Sequence, residues 1–291
     1  MDIVKRKDNY SENHCWQYDI RIKNKDQDLI DSGLTQDQAS LLRVGDFDLQ
    51  YEPKEDVFAD ARDFISRHEW LGKLSLYPTH IFTARYKGIL AGVVIVDMPN
   101  AFSKMLGGDT KRLERLISRG ACISWSPKNL ASSLIMYSIK WMVTNTQYRL
   151  FTAYSDPEAN EIGTIYQACN FYFLGQSFGA KKQYLTENNN WTSDRYFRSR
   201  SVYKRIAKSL GIAWVDSWQI RDRVIFSEMP DDIAVSIKAG SKEYMASRPA
   251  RDVQQKGKYA YVAGENKTET KRLRKLFISR NKVYDYPKRP S

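Results

Sequence analysis

Residues 122–175 read CISWSPKNLASSLIMYSIKWMVTNTQYRLFTAYSDPEANEIGTIYQACNFYFLG, and this stretch decides the fold. The apolar, β-prone CISW predicts a buried strand. It runs into Ser126-Pro127-Lys128-Asn129, which reads as a helix start. Ser126 suits an N-cap, where a side-chain oxygen accepts from orphan N–H groups, and Pro127 presets φ for the first helical position. The helix ASSLIMYSIKWM follows, then the strand RLFTAYS, which ends at Ser155-Asp156-Pro157. A short helix carrying Tyr166 and a last strand, FYFLG, complete the block. A helix start attracts phosphate through its free N–H groups and dipole. Lys128 and Asn129 add a charge and a donor there, and small Ala131, Ser132 and Ser133 leave room for a bulky ligand. A plain capped helix explains the same letters. No GxxxxGK[ST] occurs, so this is not a P-loop.

Working outward, DVFADARDFISRHEWL (56–71) has apolar residues at helical spacing. HIFTARY, Lys87-Gly88 and ILAGVVIVDMP predict a hairpin. TKRLERLISRG (110–120) reads as a helical or connecting segment. On the N-terminal side, 35–44 predicts a short helix and 47–51 a short strand within an acidic extension, residues 1–55. After the block, KKQYLT is expected to extend the last strand. RYFRSRSVYKRIAKSLGI predicts a basic arm and helix, and KYAYVAG (258–264) a late strand before a basic helix. Helices alternate with strands, which implies an α/β mixed sheet flanked by helices. The expected division is an extension at 1–55, a core at 56–190, a basic insertion at 191–257 before the last strand, and a closing strand and helix at 258–291.

At 291 residues with 42% hydrophobic content, the chain can bury a full core. No apolar run reaches the roughly 18–20 residues of a membrane span. The N-terminus has basic residues with no apolar stretch behind them, so a cytoplasmic protein is expected. Three scattered cysteines, with no CxxC, indicate buried thiols rather than a disulfide frame or zinc site. Net charge is +12, and residues 191–291 hold 23 Lys and Arg against 11 Asp and Glu, which accounts for the whole excess. Such asymmetry suggests a polyanion-binding surface, or else a solvated basic face.

Asp156 ends a strand at the carboxyl edge, where open α/β sheets place their sites. It could orient or deprotonate an amine, or simply make turn chemistry. The Tyr166 hydroxyl could donate a proton to a leaving thiolate, or the ring could simply pack. His68, followed by Glu69, is a further catalytic candidate, although a lone helical histidine is usually structural. Ser124 and Ser126 lack a GxSxG setting. In the basic third, Arg195, Arg198, Arg200, Lys204 and Arg205 interleave with Tyr196, Phe197 and Tyr203. Arginine and lysine contact phosphate, and aromatics can stack on an unpaired base. Lys271, Arg272 and Arg274 extend that charge on the last helix.

The order helix, hairpin, strand, phosphate-facing helix, strand, then IYQACNFYFLG resembles the GNAT acyltransferase fold. The usual GNAT pyrophosphate loop, Q/RxxGxG/A, is missing. SPKN, SDP, IYQAC and the terminal YPKR, within roughly residues 56–291, instead resemble the Mom family of phage DNA-modification proteins. That resemblance implies an enzyme that converts adenine at N6 in double-stranded DNA to a methylcarbamoyl (acetamido) adenine and so shields phage DNA from restriction. It implies acetyl-CoA as the acyl source and a flipped adenine as the acceptor. Arg119 and Ser124 would line the acyl site, Asp156 and Tyr166 would flank the reacting atoms, and Ser126, Lys128, Asn129 and Ser132 would face the CoA phosphates. Iron is suggested for the family, and the three histidines here show no HxxxH or HExxH spacing to identify ligands. Two other readings stand: a conventional acyltransferase acting on a protein or small amine, and a DNA-binding protein that keeps the fold without catalysis.

Overall fold

The structure is a computed structural model that describes residues 14–74, 78–99 and 102–288. Its described residues form two units, one made by those up to Phe178 together with Lys256 onward, the other by Gly179–Gln255.

The larger unit opens with helices α1 (Trp16–Ser32) and α2 (Gln36–Leu41), then strand β1 (Asp48–Glu52) and helix α3 (Lys54–His68). Thr35 and Gln38 form a capping box that starts α2. Strands β2 (His80–Tyr86) and β3 (Ile89–Asp97) form the expected hairpin. Its turn puts both Lys87 and Gly88 at positive φ (48° and 83°), the geometry that matches strand twist. Strand β4 (Glu114–Cys122), helix α4 (Leu130–Asn145), strand β5 (Leu150–Ser155), helix α5 (Thr164–Ala168) and strand β6 (Tyr172–Phe178) follow. After five short strands of the other unit, β12 (Lys256–Val262) returns, followed by a closing helix, Lys267–Arg280.

The seven-stranded sheet has the order β1-β2-β3-β4-β5-β12-β6. Every neighbouring pair is antiparallel except β4 and β5. The last strand in sequence thus inserts between β5 and β6. Alternation along β12 fixes the layers. Tyr259 and its face join the core that holds Phe171 and helix α4, while Ala260 and Val262 pack with Leu273 and Phe277 of the closing helix. Phe82, Phe151, Phe171 and Tyr259 are fully buried, and each such side chain stabilises the fold by about 1.5–3 kcal/mol of transfer free energy.

Two sequence expectations are corrected. The central strand is 114–122 and not 122–125, so the segment 110–120 is only the end of a 3-10 helix (Gly108–Leu113) followed by strand. Its pattern was hidden because Glu114 and Arg115 are buried. Glu114 accepts from Ser103 N–H and Oγ–H, each at 2.7 Å, and from Thr152 Oγ–H at 3.2 Å. Arg115 lies over the Tyr148 ring, 3.6 Å from its centroid. Paired charges look polar in sequence and behave as core. Residues 16–52, read as an accessory extension, supply two helices and the edge strand of this sheet.

The second unit holds β7 (Lys182–Leu185), β8 (Trp191–Thr192), α6 (Arg200–Ser209), β9 (Gln219–Ile220), β10 (Arg223–Val224), α7 (Asp231–Ala246) and β11 (Ala250–Asp252). The closing helix of the larger unit is therefore α8. KKQYLT does not extend β6. As β7 it is the middle strand of a separate sheet, β11-β7-β8. A small core of Tyr203, Ala207, Trp218, Met229, Ala234 and Ile237 joins α6 to α7. The unit spans 179–255, against the 191–257 read from charge.

Candidate active site

Strands β4 and β5 pair only over Glu114–Leu116 and Leu150–Thr152. Beyond those residues they make no further pairs with each other. The carboxyl end of a parallel pair, where a sheet changes direction, is a favoured ligand position. Arg119 lies on the parted length of β4, and Tyr166 lies on the short helix that follows β5.

The turn after β4 differs from its sequence reading. Helix α4 begins at Leu130 with Asn129 as N-cap, so Ser126 is not the cap and Pro127 is not the first helical residue. Residues 124–129 form turns instead, with Leu130 N–H donating to Pro127 C=O at 3.1 Å. A residue before proline avoids the helical region, which favours a later start. Ser126 is buried, and its carbonyl accepts from Arg21 Nη2 at 3.1 Å. The same Arg21 nitrogen donates to Ser124 C=O at 2.9 Å. Buried Asp28 accepts Ser124 N–H at 3.2 Å and Arg67 Nη2–H at 2.6 Å. Helix α1 thus fastens the turn from behind, which no local motif announced. Lys128 and Asn129 stay exposed, and Ser132 is half-buried with its hydroxyl donating to Asn129 C=O at 3.0 Å. Ser124 Oγ is buried without a hydrogen-bond partner.

A carboxylate missed in the sequence is strongly perturbed here. Glu161 follows β5 by a few residues and accepts Trp70 Nε1–H at 2.9 Å and Asp156 N–H at 3.1 Å. Burial, reinforced by the charges of Glu69 and Asp156, pushes its carboxyl up to about 7, although both hydrogen bonds pull the other way. Such a group is poised between its two states at neutral pH. Tyr166 is held well above the ordinary phenol range by burial first, then by the charges of Glu161 and Glu69, with Arg119 opposing. Its hydroxyl is therefore a proton donor at neutral pH. Its ring packs against Tyr259 and Phe171, with centroids 5.3 and 5.5 Å away. Gly163 allows this packing. Its φ is +70°, and a Cβ would sit 2.4 Å from the Tyr259 ring. Arg119 donates to Lys73 C=O at 2.7 Å and stands 3.8 Å from Glu69.

Of the sequence candidates, Arg119 and Tyr166 come together electrostatically. Asp156 lies at the strand edge as expected, with its carboxylate engaged. Oδ1 accepts Glu158 N–H at 3.1 Å, and Oδ2 is 3.2 Å from Lys256 Nζ. His68 is buried against Phe64, with ring centroids 4.3 Å apart, and its Nδ1 is 3.6 Å from Asp28. Burial pulls its pKa down to about 4. This is a packed, neutral histidine, while its neighbours Glu69 and Trp70 reach the site. Glu161 could not be told from Asp156 or Glu158 by sequence, because the tryptophan that accompanies it is 91 residues away. Among the described residues, no group of three or more His, Cys, Asp or Glu could hold a metal ion. Cys122 and Cys169 are buried free thiols, as expected, and burial pushes them up to about 12 and about 11.

In the second unit, Arg195 is exposed, Arg198 pairs with Asp194 at 2.6 Å, and Arg205 pairs with Glu187 at 3.0 Å. Lys204 Nζ lies 5.5 Å from the Trp214 ring centroid. The stacking role read for the interleaved aromatics is corrected: Phe197 and Tyr203 are buried in that unit's core. On α8, Lys271 and Arg272 are exposed, while Arg274 donates to Val262 C=O at 3.2 Å and is half-buried.

The strand order, the parted parallel pair and the tyrosine helix beside it define a mixed α/β fold with a central sheet flanked by helices. Solved structures similar to the chain include a GNAT family acetyltransferase from Elizabethkingia anophelis with acetyl-CoA bound, at 9% identity and TM-score 0.37, covering 75% of this chain and 99% of that one. Another is an IAA acetyltransferase from Bacillus cereus, at 12% identity and TM-score 0.34, covering 49% and 83%. No curated protein matches the chain in sequence. The chain belongs to the Mom protein family, whose model matches residues 55–224.

Proposed function

We propose that the chain uses acetyl-CoA to modify the N6 amine of adenine in double-stranded DNA, giving the methylcarbamoyl (acetamido) adenine that shields phage DNA from restriction. The observation that carries this reading is the placement of Glu161, Tyr166 and Arg119 around the end of the parted β4–β5 pair in a Mom-family chain. When bound, acetyl-CoA supplies an activated acyl thioester. Lys128, Asn129 and Ser132 would hold its phosphates at the start of α4. Glu161 would take a proton from the attacking amine, since its pKa near 7 leaves much of it ionised at neutral pH. Tyr166 would give its hydroxyl proton to the departing sulfur. Arg119 would balance the negative charge that builds between them. That step, with the N6–carbonyl bond made and the C–S bond broken, balances as N6-acetyl adenine and CoA thiol; the methylcarbamoyl product, joined to N6 through its methyl carbon, further requires a nitrogen donor and a two-electron oxidant as co-reactants, and the roles given to Glu161, Tyr166 and Arg119 concern thioester cleavage alone. Adenine N6 is a weak nucleophile because its lone pair is delocalised into the ring, so much of the acceleration must come from positioning.

The partner reading rests on the basic excess of residues 191–291 and the exposed Arg195, Lys271 and Arg272. The test is mass analysis of nucleosides from cells that express the chain. A heavier adenosine in DNA supports the proposal. Acetylated protein amines with unchanged nucleosides would instead favour a conventional acyltransferase.

A further inference from the structure

The second unit carries a feature that its core does not require. Strands β9 and β10 form a hairpin only two residues deep on each side, with Ile220 opposite Arg223 and a two-residue turn of Arg221 and Asp222. Arg221 sits at φ +51°, a left-handed conformation that side-chain-bearing residues rarely adopt. A short hairpin is barely stable by itself, yet this one is braced from both ends. At its base, Ile225 N–H donates to Trp218 C=O at 2.8 Å, and Trp218 is buried in the unit's core. At its tip, Arg200 of α6 grips the turn with both guanidinium nitrogens: Nη1 donates to Arg221 C=O at 2.5 Å, and Nη2 lies 3.0 Å from Asp222.

The brace has two consequences. The Asp222 carboxylate, the acidic group at the tip, is paired with Arg200. Ile220, at 64% exposure beside the turn, is followed by exposed Arg221 and faces exposed Arg223 across the hairpin. An apolar side chain on a rigid projection, flanked by cations, is the chemistry that unstacks a base step while its neighbours hold phosphates. A protein surface would not need the flanking cations, and a buried role would not leave Ile220 in solvent.

We propose that the β9–β10 hairpin is a duplex-inserting wedge, with Ile220 entering between base pairs and Arg221 and Arg223 contacting the adjacent phosphates. This rests on the reading of double-stranded DNA as the partner, and it adds the element that opens the stack so that a base can leave it. The test uses the full chain and a short duplex in which one adenine is replaced by 2-aminopurine, whose fluorescence rises on unstacking. Affinity and the fluorescence at saturation are read for the wild type, Ile220→Ala and the double variant Arg221→Gly/Arg223→Gln. Glycine suits the positive φ at 221, and all three positions are exposed, so the fold is expected to persist. Ile220→Ala should lose most of the fluorescence gain with affinity changed less than about threefold. The double variant should bind more weakly and flatten the salt dependence by roughly two phosphate contacts. An unchanged fluorescence gain in Ile220→Ala overturns the wedge. Wild-type binding without any gain overturns the wedge and leaves the DNA reading standing. No duplex binding by the wild type overturns both.

Discussion

Replacing Glu161 by glutamine separates a titrating carboxyl from a neutral isostere in the same place. In the folded chain this carboxyl is raised from an ordinary 4.5 to about 7, chiefly by burial. A raised folded-state value means that folding favours the protonated form. The associated stability is fully present below the unfolded value and is lost as pH rises through the folded one. The full span is two to three pH units, or roughly 3 kcal/mol. Between pH 5 and pH 8 the linkage relation gives about 2–3 kcal/mol, most of this span. Glutamine does not titrate. Over that interval the wild type should therefore lose about 2–3 kcal/mol more stability than Glu161→Gln. His68 and His80, whose values burial pulls down to about 4, act in the opposite direction, gaining stability toward higher pH. They are common to both proteins and cancel in the comparison. Urea unfolding at the two pH values gives the difference directly. Curves for the two proteins that shift in parallel within about 0.5 kcal/mol would refute a buried, titrating Glu161. The same variant should lower the transfer rate by about 10²–10⁴-fold if Glu161 is the base.

Tyr166→Phe keeps the ring that packs on Tyr259 and Phe171, so it should fold normally and lose about 10²–10⁴-fold in transfer rate; an unchanged rate would remove the acid role. Asp28→Ala leaves Ser124 N–H without its acceptor and breaks the Arg67 pair, and should cost about 3–5 kcal/mol in denaturant unfolding. Gly163→Ala drives a Cβ into Tyr259 at positive φ and should cost roughly 2–4 kcal/mol, whereas Gly88→Ala meets nothing within 4 Å and should cost only the conformational part, about 1 kcal/mol.

The sequence was most legible where apolar periodicity and turn chemistry agreed, as in the β2–β3 hairpin with its Lys87-Gly88 turn and in α4, β5 and β6. It misled where burial is bought by pairing. Glu114 and Arg115 look like a charged connector and are the start of the central strand. The Ser126-Pro127 pair has the letters of a helix start, and Arg21, about one hundred residues earlier, holds Ser124 and Ser126 in a turn instead. Tyr166 and Arg119 were reachable through the family resemblance. Glu161 was not, because its perturbation comes from burial and from the charge of Glu69, a setting that only the tertiary fold makes. The basic third was visible as charge, but its aromatics at Phe197 and Tyr203 serve a core that composition alone does not show.

The central claim is that Glu161 and Tyr166 of this Mom-family chain move protons while an adenine in DNA is modified. The most direct measurement is the fraction of heavier adenosine, by mass spectrometry, in DNA from cells that express the wild type, Glu161→Gln or Tyr166→Phe at matched folded levels. The expected result is a heavier adenosine with the wild type and little or none with either variant. Unmodified adenosine with folded wild type, or equal modification by all three, would contradict it.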